Sequence, residues 1–123
     1  MKPFKQKLTR LSCAADHITA SARVPADSVW YAGHFPGNPI LPGVAVLALV
    51  EEAIHTSELR EKRRVEITGI SRVRFRVPVK PDDRMTLKIS RERKQDRITY
   101  EFSVYIAEEL ACSGFLKARM VAE

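Results

Sequence analysis

The stretch from Gly33 to Ala53, GHFPGNPILPGVAVLALVEEA, carries residue types that can hold a reactive carbonyl and move a proton beside it. His34 is the natural base, because an imidazole titrates near neutral pH and can both accept and return a proton. Pro36, Pro39 and Pro42 follow it; each fixes φ and removes a backbone donor, so the loop is stiff and His34 is held, not merely tethered. Proline is accepted in the first turn of a helix, so a helix is expected to start at about Pro42 or Gly43. Its free N–H groups, chiefly that of Gly43 with Val44 beside it, and the positive end of its dipole suit a developing oxyanion. Glycine at that place leaves no side chain to obstruct a close approach to the backbone. The plainer alternative is a histidine that only pins its loop by hydrogen bonds.

The elements that must position these groups are legible in the hydrophobic pattern. Val44 to Val50 is apolar on all sides, the mark of a helix that something wraps, and the helix turns polar after Glu51 and Glu52, ending at about Ser57. Residues 1–12 read as a loosely ordered lead-in. Ile18, Ala20, Ala22 and Val24 alternate with polar neighbours, predicting a half-buried strand from His17 to Val24, with Ala26 to Tyr31 as a short extended piece behind it. Beyond Arg64 the chain reads as strands. Val73, Phe75 and Val77 fall on one face and Arg72, Arg74 and Arg76 on the other; Met85, Leu87 and Ile89 alternate next, then Ile98 to Ile106, then Leu110 to Val121. One apolar helix followed by an antiparallel meander predicts an α+β domain, its sheet curved around the helix.

With His34, Phe35, Pro36, Pro39, Pro42, Gly43 and Val44 in that order, the chain resembles the dehydratases that act on 3-hydroxyacyl thioesters of acyl-carrier protein. The segment Gly69 to Asp83, GISRVRFRVPVKPDD, is similar to theirs as well, with Arg74, Phe75, Pro78 and Pro81 at corresponding places, so the resemblance spans residues from about 17 onwards. It implies the hot-dog fold over a single domain, 1–123. It also implies a homodimer, or an oligomer of dimers, in which the histidine of one subunit faces the helix acid of the other.

The family's acidic residue stands fourteen positions after its histidine, and here that position is Ala48. Glu52 lies one turn further along the same helix face, and helical side chains lean toward the N-terminus, so it can reach back over the space Ala48 leaves. Glu52 is therefore the candidate relocated acid, in place of the glutamine the family commonly has there, with Glu51 the poorer candidate. The alternatives are a solvated helix charge and a partner to His55. The resemblance further implies an acyl tunnel lined by Phe75, Val77, Pro78 and Val79, with Trp30 and Phe35 near its mouth, each of which can equally be ordinary core; Pro42 and Ala48 complete the expected substrate-binding residues.

At 123 residues the chain is the size of one domain, and 45% hydrophobic with 29% charged residues is ordinary for a globular protein. A net charge of +6 favours an acidic partner. Arg72, Arg74 and Arg76 can receive acyl-carrier protein and the phosphate of its pantetheine arm, or coenzyme A; the default reading is a solvated sheet face, and no nucleic-acid motif accompanies them. Cys13 and Cys112 have no metal-ligand spacing, His17 and His55 have no ligand partners, and no cofactor is expected. With no signal-like segment and no run of about 18 apolar residues, a cytoplasmic protein off the membrane is expected. The reaction implied is dehydration to a trans-2-enoyl thioester in fatty-acid, lipid or polyene synthesis. A thioesterase, and a non-catalytic acyl-binding partner subunit that has lost the acid, remain open.

Overall fold

The computed structural model describes residues 8–28, 31 and 40–121. Six strands form one antiparallel sheet: β1 (Leu8–Ala14), β2 (His17–Arg23), β3 (Val65–Phe75), β4 (Arg84–Lys94), β5 (Arg97–Ile106) and β6 (Glu109–Met120), in the order β1-β2-β4-β5-β6-β3. The single helix of the described residues, α1 (Gly43–Arg60), lies against the sheet between β2 and β3 in sequence. The sheet bends around it, which is the hot-dog arrangement expected from the sequence.

Alternation explains why the strands form where they do. Ile18, Ala20 and Ala22 of β2, Met85, Leu87 and Ile89 of β4, and Ile98, Tyr100, Phe102 and Val104 of β5 all point inward and are buried. They meet Ala45, Val46, Leu49, Val50, Ala53 and Ile54 of α1 in one core. Burying each large aliphatic side chain contributes about 1.5–3 kcal/mol, so the helix is held by its packed face.

The helix is not covered all round. Val44 is 63% exposed, and Leu47 and Ala48 are only partly buried, because a single sheet can cover only one side of a helix. Nor does the helix stop at Ser57. It runs to Arg60 and closes with the N–H of Lys62 on the carbonyl of Leu59 and that of Arg63 on the carbonyl of Glu58. This is a Schellman closure with Lys62 in the left-handed position, at φ 62°. Lysine sits where glycine is usual, which hid the boundary.

Three further expectations need correction. Leu8 to Ser12 belong to β1 and pair with β2, so the lead-in is not loose there; the polar edge-strand composition concealed the pairing. Residues 25–28 turn, with the Ser28 N–H on the Pro25 carbonyl at 3.0 Å, where an extended piece was expected. The last turn falls at Ala107, φ 56°, one residue earlier than Glu108-Glu109, because Glu109 pairs with Ile106 and already belongs to β6.

Candidate active site

The start of α1 is built by backbone constraints. Pro42 caps it in an extended conformation (φ −61°, ψ 147°), and the N–H groups of Ala45 and Val46 both turn back to the Pro42 carbonyl, at 3.0 and 3.3 Å. The N–H groups of Gly43 and Val44 precede any carbonyl that the helix can offer them. The first turn contains no acidic side chain to quench them. They are thus available, in the helix's own terms, to an incoming oxyanion.

Beside that start lies an open, largely apolar cavity of about 460 Å³. Pro42, Gly43, Phe75, Val77 and Pro78, all expected at the site, line it together. The backbone clamps the two sides of the cavity, with the Leu41 N–H donating to the Val79 carbonyl at 2.8 Å. Phe75 is 53% exposed, and its ring stands directly over Gly43. The volume is within the range of about 300–1,000 Å³ typical of small-molecule sites.

Sequence reasoning missed part of this wall. Val46, Ala111 and Cys112 also line it, on the inward phase of α1 and β6, where pattern alone marks core and cannot distinguish a cavity wall. Burial pushes the Cys112 thiol up to about 11, so at neutral pH it is an apolar wall group and not a thiolate.

The remaining candidates fall elsewhere or outside the description. Trp30, His34 and Phe35 lie outside the described residues. Val44, Ala48 and Glu52 do not line the cavity; Ala48 and Glu52 are half-buried on the side of α1 turned from the sheet, and Val44 is exposed. Glu51 is half-buried as well, so exposure does not separate it from Glu52. His55 borders a small hollow of about 100 Å³ with Leu59, Arg63 and Arg64.

The three strand arginines are gathered despite an irregularity. The β3–β6 register slips between Ser71 and Arg74, and Arg72 takes a left-handed φ of 55°, which breaks strict alternation. Arg72, Arg74 and Arg76 nonetheless line one depression of about 610 Å³, with Glu101 and Phe115 on the same wall.

A buried charge, unforeseen in the sequence, fixes the far end of the helix. Glu58 is fully buried and accepts hydrogen bonds from Tyr100 Oη, from Arg63 Nε at 3.0 Å and from Arg91 Nη1 at 2.9 Å. Burial by itself would raise its pKa; the Tyr100 and Arg63 hydrogen bonds and the Arg91 charge outweigh that and hold the carboxyl below its usual value. In the sequence it lay inside a charged run that reads as a solvated helix end.

Comparison with known proteins decides the family. The family model described as ApeI dehydratase matches residues 10–115. The chain belongs to the ApeI-like dehydratase family. Among curated relatives, the 3-hydroxyacyl-(acyl-carrier-protein) dehydratase FabZ of Oenococcus oeni is 31% identical over 108 residues, which cover 84% of this chain and 78% of the relative. FabZ of Histophilus somni is 34% identical over 105 residues, covering 80% and 70%. Among solved structures, the dehydratase heterocomplex ApeI:P from Xenorhabdus doucetiae superposes with a TM-score of 0.74 at 25% identity, covering 97% of this chain and 99% of that one. A coenzyme A-bound hypothetical thioesterase of Streptococcus pneumoniae superposes with a TM-score of 0.77 at 12% identity, covering 97% and 92%, and shows the fold alone. This kinship supports a 3-hydroxyacyl-dehydratase-like function. No helix of the described residues is long and apolar enough to cross a membrane.

Proposed function

We propose that this chain removes water from 3-hydroxyacyl thioesters carried on acyl-carrier protein, giving trans-2-enoyl thioesters for fatty-acid or a related lipid or polyene synthesis. The observation that carries the reading is the apolar cavity of about 460 Å³ opening at the start of α1, where no side chain hydrogen-bonds to the first turn's N–H groups as a cap. The acyl chain lies along Phe75, Val77 and Pro78, which brings the thioester carbonyl to the N–H groups of Gly43 and Val44.

In the proposed reaction His34 takes the proton from the carbon beside the carbonyl, and the Gly43 and Val44 N–H groups hold the enolate oxygen. Glu52 gives its proton to the departing hydroxyl, directly or through one water, so that water leaves and the double bond forms. Each proton-transfer partner is typically worth about 10²–10⁴-fold in rate. Because Ala48 and Glu52 sit on the half-buried outer side of α1 and not in the cavity of their own chain, the reading requires a second copy. His34 then faces Ala48 and Glu52 of the partner subunit, and a monomer is inactive. Arg72, Arg74 and Arg76 receive the acidic carrier at their shared depression. The reaction runs in a soluble, cytoplasmic homodimer and needs no metal or cofactor.

Ala48 supports a second reading, a partner subunit that keeps fold and loop but leaves chemistry to another chain, and the relative's heterocomplex makes it concrete. A spectrophotometric assay with carrier-linked 3-hydroxyacyl thioester separates the readings. Enoyl formation by the purified homodimer supports dehydration, release of free thiol identifies a thioesterase, and inertness of the homodimer supports the partner subunit.

A further inference from the structure

On the face of the sheet turned away from α1, β1, β2 and β4 form a second concavity, of about 450 Å³, which shares no lining residue with the cavity at the helix start. Arg10, Arg23 and Arg84 line it, together with Thr9 and Ser21. Three adjacent strands thus each contribute an arginine to the lining of one hollow.

Nothing on the wall of this hollow balances that charge. Its lining includes no carboxylate, and the ion pairs among the described residues engage Arg63, Arg91 and Arg119 instead. Asp83, next to Arg84 in sequence, spends its carboxylate on the Lys80 N–H at 2.8 Å. Moreover, Arg23 and Arg84 are direct cross-strand partners, a placement in which like charges repel, and Thr9 and Ser21 are partners on the neighbouring ladder. Folding gains nothing from opposing two guanidiniums; an anion between them would turn the repulsion into binding.

Arg10 adds an independent sign. It holds a left-handed φ of 54°, where the β1–β2 register slips between Thr9 and Ser12. Bulges of this kind occur at sheet edges and re-aim a side chain, and non-glycine residues adopt such a φ at a cost. Here the bulge falls at the one β1 residue that brings a charge to the hollow.

We infer that this concavity binds a phosphate group, free or carried on a small molecule. Guanidinium forks pair bidentately with phosphate oxygens, and the two hydroxyls supply further donors. The depression at Arg72, Arg74 and Arg76 is a poorer phosphate site, because Glu101 shares its wall. The inference does not depend on the proposed dehydratase reaction, which is tested separately by enoyl formation.

Isothermal titration calorimetry of the full chain at low salt, with inorganic phosphate, phosphopantetheine and coenzyme A as separate probes, tests it. The expected result is saturable binding of at least one probe, weakening as salt is raised, and falling at least tenfold in the double variant Arg23→Ala/Arg84→Ala. Arg93→Ala and Arg97→Ala, exposed arginines elsewhere, leave binding unchanged. Tightest binding of inorganic phosphate marks a free oxyanion as the ligand; tighter binding of phosphopantetheine or coenzyme A marks a phosphate ester. Since the double variant relieves a like-charge pair, its thermal midpoint should be no lower than that of the wild type, which separates lost binding from lost fold. Absence of saturable binding by all three probes, or wild-type binding by a folded double variant, overturns the inference.

Discussion

A Cβ atom placed on Gly43 would stand 2.6 Å from Cζ of Phe75, closer than real Cβ contacts allow. The ring closes over the first residue of α1, and the missing side chain is what lets it do so. Gly43→Ala should therefore push the Phe75 ring aside. That ring is more than half exposed and can move, so the unfolding midpoint should change little, whereas kcat/KM for an acyl thioester should fall by roughly tenfold or more, about 1.4 kcal/mol. A double-mutant cycle with Phe75→Ala checks the coupling: the two losses should be clearly non-additive, since the residues touch.

Two other glycines give opposite expectations for stability. A Cβ on Gly114 would meet the Phe102 ring at 2.9 Å and the Val73 backbone at 3.1 Å, while one on Gly69 would meet nothing within 4 Å. Gly114→Ala overpacks the core and should cost about 1–3 kcal/mol. Gly69→Ala should be neutral or stabilise by up to about 1 kcal/mol, through the reduced freedom of the unfolded chain. Urea unfolding of both variants measures the contrast.

Glu58 predicts an acid limb in the stability profile. Its folded pKa lies below the unfolded value of 4.5, so its contribution is fully present above about pH 4.5 and is lost as the pH falls from there through the folded value. Unfolding free energies measured between neutral pH and pH 3 should fall across that window, and Glu58→Gln should remove this part of the slope. Arg91→Ala, which strips one partner from a carboxylate that stays buried, should cost about 3–5 kcal/mol at neutral pH.

What could be read in advance follows from what pattern records. Strict alternation placed Ile98 to Val104 on one face of a strand and marked the inward face of β4, and Pro42-Gly43 fixed the start of α1 to within a residue. Local chemistry without a hydrophobic signature was harder to read. Leu8 to Ser12 pair although they look like a polar tail, and Lys62 closes a helix where glycine was awaited. Glu58 is buried by Arg63, Arg91 and Tyr100, two of which are more than thirty residues distant in sequence, and no short-range pattern can announce that. At the start of α1, Gly43 was named because a helix start needs a close backbone approach, and Phe75, Val77 and Pro78 were named through the resemblance alone; the four line one cavity. Cys112 was not, because inward phase alone marks it as core.

The central claim is that Glu52 supplies the proton that position 48 can no longer give, and the rate of enoyl-thioester formation by wild-type and Glu52→Gln homodimers tests it most directly. The account predicts a wild type that dehydrates 3-hydroxyacyl thioester and a folded Glu52→Gln variant slower by about 10²-fold or more. A wild-type homodimer that stays silent until Ala48→Glu switches it on would contradict it.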